Sequence, residues 1–368
     1  MMRKIEYGII THYDVHNHGA FLQLNGLSKV LKQEFNIEAR ALRFEKNYDY
    51  AEAGVKDKLK ISFKSIGIYL KYIKDRGLRV FLFNIRKKIL FSTFLKNEDL
   101  IGCRCDHSEK LDGIIIGSDE VFALHTGLTP EFFGYNLPSN KVFVYAGSFG
   151  PTTIADIRRL GCANYIRNGL KSMRGLSMRD ENSVYITKEL TGMKPALVVD
   201  PVILYGYKKE LFSLLKPNLP KYLLVYAYES RLNTPDEYQP ILRYAHKNDM
   251  IVVCAGFFHA WADKNINVDP VELLRYFKYA NCAVTDTFHG CVLSLICGRE
   301  MAVKLRDNVN KLYNLMREYS IEDRVINDDW KLDDIFEKKV NWEVVNGQIA
   351  ERRAMSMMYL KKMIRNEA

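Results

Sequence analysis

The 368-residue sequence predicts an α/β protein built from two doubly wound domains with a cleft between them. Three observations carry that expectation. Strand-like apolar runs alternate with helix-like ones almost throughout, the pattern of a mostly parallel sheet wrapped by helices. The chain is longer than one ordinary core accommodates. Pro217-Asn218-Leu219-Pro220 interrupts the alternation, and a second series of strands starts after it.

Residues 5–11 form the first expected strand, followed by a helix at 20–35 with Phe21, Leu24, Leu27, Leu31 and Phe35 on one face. Further strands are expected at 113–116, 142–146, 175–178 and 196–199 in the first series. The second series has them at 222–228, 251–254, 282–285 and 301–305. The helix before 282–285 opens with Asp269-Pro270-Val271-Glu272: an N-cap carboxylate, a proline at the first helical position and a glutamate placed to close a capping box. A final amphipathic helix follows Trp342, with Met355, Met358, Leu360 and Met363 among its apolar residues. These elements divide the chain into an N-terminal domain at 1–216, a C-terminal domain at 217–340 and a helix at 341–368 expected to pack back on the N-terminal domain.

Composition narrows the class. Apolar residues at 48% and charged ones at 27% describe a globular chain rather than a disordered one. No apolar run approaches the roughly 18–20 residues that span a bilayer. The start, Met1-Met2-Arg3-Lys4-Ile5-Glu6, lacks the apolar core of a signal peptide, so a cytoplasmic protein is expected. Seven cysteines, an odd number, fit free thiols better than a disulfide framework.

The net charge of +10 is local. Residues 54–97 carry 12 Lys or Arg against 2 Asp, and the other 42 basic residues balance 42 acidic ones. This stretch reads as a basic helical insertion, with Ile66, Tyr69, Leu70 and Ile73 at helical spacing among lysines. It is compatible with an anionic membrane surface, a nucleic acid or an acidic glycan carrier, and equally with a solvated insertion on an ordinary core face.

Polar residues gather at the strand ends. Thr285-Asp286-Thr287-Phe288-His289-Gly290 places a titratable imidazole where a strand ends and a helix begins, the point at which open α/β sheets meet ligands. Asn17-His18-Gly19 occupies the corresponding turn after the first strand, where a glycine lets backbone amides approach an anion or simply lets the chain turn. Gly117-Ser118-Asp119 follows a buried strand. Asp119 there is either a base for a sugar hydroxyl or the cap of the next helix. Gly147-Ser148 ends another strand, as a phosphate cradle or a plain loop. Arg179 ends a further one, as a two-pronged grip for a carboxylate or phosphate or as a surface partner of Asp180. Cys103, Cys105 and His107 would face one side of a strand like half of a metal site. No matching pair follows at zinc-finger spacing, so no metal is expected.

Taken together, Asn17-His18-Gly19, Gly117-Ser118-Asp119-Glu120-Val121, Ser177-Met178-Arg179-Asp180-Glu181, Asp200-Pro201 and Asp286-Thr287-Phe288-His289-Gly290 resemble the polysaccharide pyruvyl transferase family, in order and spacing over residues 5–305. The resemblance implies two Rossmann-like domains in a GT-B-like arrangement. It also implies transfer of a pyruvyl group from phosphoenolpyruvate to two hydroxyls of a sugar, leaving a cyclic ketal on a capsular, cell-wall or exopolysaccharide unit. No cofactor and no nucleic-acid partner are expected. Arg179 and His289 match the family's arginine and histidine motifs. Some branches carry an arginine two positions before the histidine, where this chain has Thr287, leaving Lys304, Arg306 or His18 to replace it.

On this reading His289 handles the acid–base step and Asp119 positions or deprotonates the acceptor. Arg179 grips the donor, while Asn17, His18, Gly19, Gly117, Ser118, Gly147, Ser148, Thr287 and Gly290 shape the binding cleft. The acceptor is a sugar or glycan for which a lipid carrier is compatible, with residues 54–97 as a candidate peripheral membrane contact. Two competing readings remain open: a GT-B glycosyltransferase with a nucleotide-sugar donor, and a non-catalytic protein that binds membranes or anions through its basic segment.

Overall fold

The computed structural model describes residues 4–47, 74, 76–107, 111–306 and 309–365. They fall into two compact units. Described residues within 1–70, 95–205 and 351–368 form the first, and those within 71–94 and 206–350 the second.

The first unit is built on a seven-stranded parallel sheet. Its strands are β1 (Ile5–Ile10), β2 (Ile37–Arg43), β3 (Ile101–Arg104), β4 (Gly113–Ile116), β5 (Val142–Gly147), β6 (Gly175–Met178) and β7 (Ala196–Leu197). Their spatial order is β3-β2-β1-β4-β5-β6-β7. β4 and β5 are buried along their whole length, as central strands covered on both faces must be, which is why they read as continuous apolar runs. Ile10, Ile114, Ile116, Val144, Phe122 and Phe133 share one core. The helix His18–Phe35 buries Phe21, Leu24, Leu27 and Leu31 as its spacing predicts, while Phe35 is only half-buried because the chain turns at Asn36, φ 53°.

β2 and β3 escape the hydrophobic pattern. β2 interleaves Glu38 and Arg40 with its buried Ile37, Ala39 and Ala41, and β3 at the sheet edge is four residues long with none fully buried. β3 also corrects the metal-like reading. Cys103 lies in the strand, but the chain then turns into a short 3₁₀ helix, Cys105–His107, so the three residues share no strand face. β7 stops short of the expected 199 because the Val199 N–H donates to Ser356 Oγ at 3.0 Å.

The second unit holds a five-stranded parallel sheet: β8 (Tyr222–Tyr226), β9 (Ile251–Ala255), β10 (Lys264–Ile266), β11 (Cys282–Thr285) and β12 (Met301–Val303), in the order β10-β9-β8-β11-β12. Leu223, Val225, Val252, Val284 and Ala302 form its core with Ile241 and Phe336. The helix Pro270–Tyr279 starts as predicted, with Asp269 Oδ1 accepting from Glu272 N at 2.8 Å. The Glu272 carboxylate, however, lies 3.6 Å from Arg275 Nη1 rather than closing a capping box.

The helix Trp342–Ile364 buries Leu360 and Met363, but Met355 and Met358 are both more than half exposed, so its apolar face is narrower than the sequence suggests. From Glu351 onward it belongs to the first unit. Arg353 Nε donates to Ile203 O at 2.8 Å and Tyr359 Oη to Leu176 O at 2.8 Å. Of the basic stretch 54–97, residues 54–73 and 75 lie outside the described residues, and with them the face expected at Ile66, Tyr69, Leu70 and Ile73. The remainder contributes to a helix, Leu78–Asn97. Among the described residues no helix is long and apolar enough to cross a membrane.

Candidate active site

In the first sheet the strand order reverses between β1 and β4, and parallel sheets open a ligand crevice at the carboxyl ends beside such a reversal. Asn17, His18 and Gly19 start the helix that follows β1. Asn17 Oδ1 accepts from Gly19 N at 2.8 Å, and the His18 side chain is fully buried. Gly117, at the end of β4, has φ +120°, and a Cβ there would stand 2.2 Å from Tyr145 O, so only glycine fits. Ser118 is buried, and its carbonyl accepts from Thr11 Oγ1 at 3.0 Å. Asp119 takes φ +81° and bridges to Gly147 at the end of β5, a backbone strain of about 1–3 kcal/mol for a non-glycine residue. It is no helix cap: the next helical turn begins at Leu124, with Ala123 in the cap position.

Arg179 is drawn to the same edge. Its side chain is 2% exposed, with Nη1 3.0 Å from Asp200 Oδ2 and Nη2 3.7 Å from Asp119 Oδ1. Asp200 also accepts from Gln23 Nε2 at 2.5 Å and Val202 N at 2.9 Å, so the network ties the helix after β1 to the ends of β4 and β6. Burial works against the Arg179 charge, but Asp200, then Asp119, outweigh it and hold its pKa above the ordinary arginine value. The alternative of a surface pair with Asp180 is thereby set aside. Asp180 instead caps the helix Glu181–Thr191, accepting from Ser183 N at 2.8 Å and from Ser148 Oγ at 2.6 Å. The fully buried Ser148 is thus engaged below the edge, and Gly147 is glycine because a Cβ would meet Phe122 at 2.6 Å.

His12, His16 and His18 recur at the end of the first strand and read as loop histidines at a cleft rather than as a metal cluster. His12 is buried, its ring 4.9 Å from that of Phe132 and its Nε2 3.4 Å from Glu120 O. Burial and Lys46 push its pKa down, against the pull of Asp119, which favours a neutral imidazole near that carboxylate. Gln23 carried no sequence signal, and Asp200 was marked only by its motif with Pro201, because their partner Arg179 is remote in sequence and nothing local marks the contact.

The histidine motif occupies the equivalent place in the second unit, where the strand order reverses between β8 and β11. Thr285 Oγ1 donates to Tyr226 O at 2.7 Å, stitching the two strand ends. Thr287 caps the helix Phe288–Ile296, its Oγ1 accepting from Gly290 N at 2.9 Å. His289 lies in the first turn of that helix and is largely buried, edge-on to Phe288 at 5.4 Å between ring centroids. A Cβ on Gly290 would stand 2.0 Å from Thr285 Oγ1, so packing demands glycine. The Asp286 carboxylate is buried, 3.1 Å from Arg306 Nε and 3.6 Å from Arg231 Nη1. Burial raises its pKa, and Arg231 and Arg306 only partly offset that. Arg306 also pairs with Glu237 at 2.5 Å. Arg231 is the more exposed of the two cations at Asp286, 5.1 Å from the centre of the Tyr228 ring. Its only sequence signal is its position just after β8. Lys304 turns to Asp328 at 3.2 Å.

Two successive parallel α/β units, each with polar residues at the carboxyl edge of its sheet, define a GT-B-like, Rossmann-like fold. Solved structures share it. The putative UDP-N-acetylglucosamine 2-epimerase of Listeria monocytogenes is 10% identical, with a TM-score of 0.53 over 99% of this chain and 98% of that one. UDP-GlcNAc 2-epimerase of Methanocaldococcus jannaschii is 14% identical, with a TM-score of 0.50 over 97% and 100%. At such identities the likeness extends to the fold alone. No curated protein sequence matches the chain. The profile of the polysaccharide pyruvyl transferase family matches residues 17–308, a span that takes in Asn17, Asp119, Arg179, Asp200 and His289; the chain belongs to that family. It is a transferase of polysaccharide biosynthesis, acting by pyruvyl transfer.

Proposed function

We propose that the donor is phosphoenolpyruvate and that the product is a cyclic pyruvate ketal on two hydroxyls of a sugar. A proton is delivered to the donor's methylene carbon, C2 becomes cationic, one acceptor hydroxyl adds there and loses its proton, and a second hydroxyl closes the ring as the C2–O bond to phosphate breaks, its proton leaving with the phosphate. His289 supplies and recovers the proton. Asp119 orients or deprotonates the acceptor hydroxyl, its strained backbone fixed by the Gly147 bridge. Arg179 brings positive charge to the donor's carboxylate or phosphate from the side on which it meets Asp119. Arg231 takes the part of the arginine that Thr287 replaces, since it is the more exposed of the two guanidiniums beside Asp286 and Arg306 is also held by Glu237.

The position of His289 carries this reading. It stands in the first turn of a helix at the strand-order reversal of the second sheet, where the helix N-terminus favours an anionic ligand. The acceptor is a glycan unit on a lipid carrier, met in the cytoplasm at the membrane face, because the chain's entire charge surplus lies in residues 54–97. The test is to combine the protein with phosphoenolpyruvate and lipid-linked glycans. Phosphate should appear in step with an acid-labile glycan product. Turnover with a nucleotide sugar and none with phosphoenolpyruvate would overturn the assignment.

A further inference from the structure

The helix Leu78–Asn97 has two apolar faces. On one, Phe83, Lys87, Phe91 and Phe94 are buried. Phe83 stacks edge-on against Phe258 at 5.6 Å, its carbonyl accepts from Asn267 Nδ2 at 2.6 Å, and the Lys87 ammonium lies 3.9 Å over the Phe257 ring. These contacts fix the helix to the second unit. On the other, Leu78, Leu82, Ile85 and Ile89 follow one another at helical spacing and are 56, 50, 41 and 59% exposed. A stripe of that size left open on a folded protein marks an interaction surface.

Charge selects the occupant. The helix contains no acidic residue, and Arg79, Arg86 and Lys88 accompany the stripe. A second copy of the chain would bring the same positive excess to this face, whereas anionic lipid would neutralise it. The stripe also runs into a recess of about 580 Å³ lined by Arg86, Ile89 and Leu90 of the helix together with Lys264, Arg275 and Tyr276. Arg86 and Lys264, with Arg275 beside its partner Glu272, stand against largely apolar walls and suit a phosphate headgroup and the first carbons of its chains. Phe212 and Leu215, 90% and 77% exposed, shortly precede Pro217, which lines the same recess.

We propose that the Leu78–Ile89 stripe and this recess form a docking surface for an anionic phospholipid bilayer, the stripe lying in the headgroup layer and the recess receiving a lipid phosphate. This deepens the membrane-side placement of the acceptor. It needs no substrate, so its failure and that of the pyruvyl-transfer reading are separable.

Flotation of the full chain with vesicles tests it. Phosphatidylcholine vesicles containing about one-third phosphatidylglycerol should carry the protein at least about tenfold better than phosphatidylcholine alone, and added salt should weaken the binding. Leu82→Ser with Ile89→Ser, and separately Arg86→Gln with Lys264→Gln, should each lower binding by about tenfold with unchanged thermal unfolding. Equal binding to neutral and anionic vesicles, or variants that bind like the wild type, would overturn the proposal. So would a concentration-dependent dimer that Leu82→Ser dissociates, which would assign the stripe to a second copy.

Discussion

Arg179 and Asp200 form a buried ion pair at 3.0 Å, and Asp119 completes it at 3.7 Å. A buried pair of this kind costs much when one partner is removed, because the other charge is left in a low-dielectric setting. Arg179→Ala should therefore lose about 3–5 kcal/mol of stability in urea unfolding, whatever it does to donor binding. Adding Asp200→Asn should restore a substantial part of that loss. A single variant as stable as the wild type would show that the pair does not hold these strand ends together.

His289→Ala should lower kcat by about 10²–10⁴ if the imidazole is the general acid and base. Its neighbours make the control clear. Thr287 caps the helix through its own hydroxyl, so the fold should survive the change, and circular dichroism should be unaltered. Near-normal turnover would remove His289 from the mechanism.

Gly117 at the candidate site and Gly192 at the end of the helix Glu181–Thr191 separate steric from conformational cost. Gly117→Ala drives a Cβ to 2.2 Å from the Tyr145 carbonyl at φ +120°, and about 3–4 kcal/mol of destabilisation is expected. Gly192→Ala, at φ +78° with no atom within 4 Å of the added carbon, should cost only about 1–2 kcal/mol. Equal losses in paired denaturation curves would contradict the close approach at Gly117.

Burial pushes the Lys87 ammonium down to about 8, with Glu229 acting weakly against it. The unfolded chain, with a lysine near 10.5, holds the proton longer, so this group's penalty is present in full below pH 8 and is relieved as pH rises towards 10.5. Lys87→Met should thus be more stable than the wild type at pH 7, by at most about 3 kcal/mol less what the Phe257 ring returns. The gap between the two proteins should close between pH 8 and 10.5. A gap that stays constant across that window would show that Lys87 is not buried as a charge.

Most of the architecture was readable in the chain because its central strands, such as β4 and β5, are covered on both faces and must be apolar throughout. β2, β3 and β10 were not readable. β2 spends alternate positions on polar residues, and β3 and β10 are edge strands of four and three residues, too short for any period to register. At the candidate site, glycines and caps announced themselves locally. The Arg179–Asp200–Gln23 network and the approach of Arg231 to Asp286 join residues that only the sheet order brings together. Met355 and Met358 erred in the opposite direction, since an apolar side chain at helical spacing need not be covered.

Because residues 351–365 complete the first unit after the chain has built the second, a nonsense change just beyond position 350 would harm the half of the protein synthesised earliest. Val199 N would lose the Ser356 hydroxyl and Leu176 O the Tyr359 phenol, while the sheet around His289 would keep all its strands. The bonds from Ser356 and Tyr359 therefore form only after the second sheet has been synthesised, so the earlier sheet acquires its last struts from the later part of the chain.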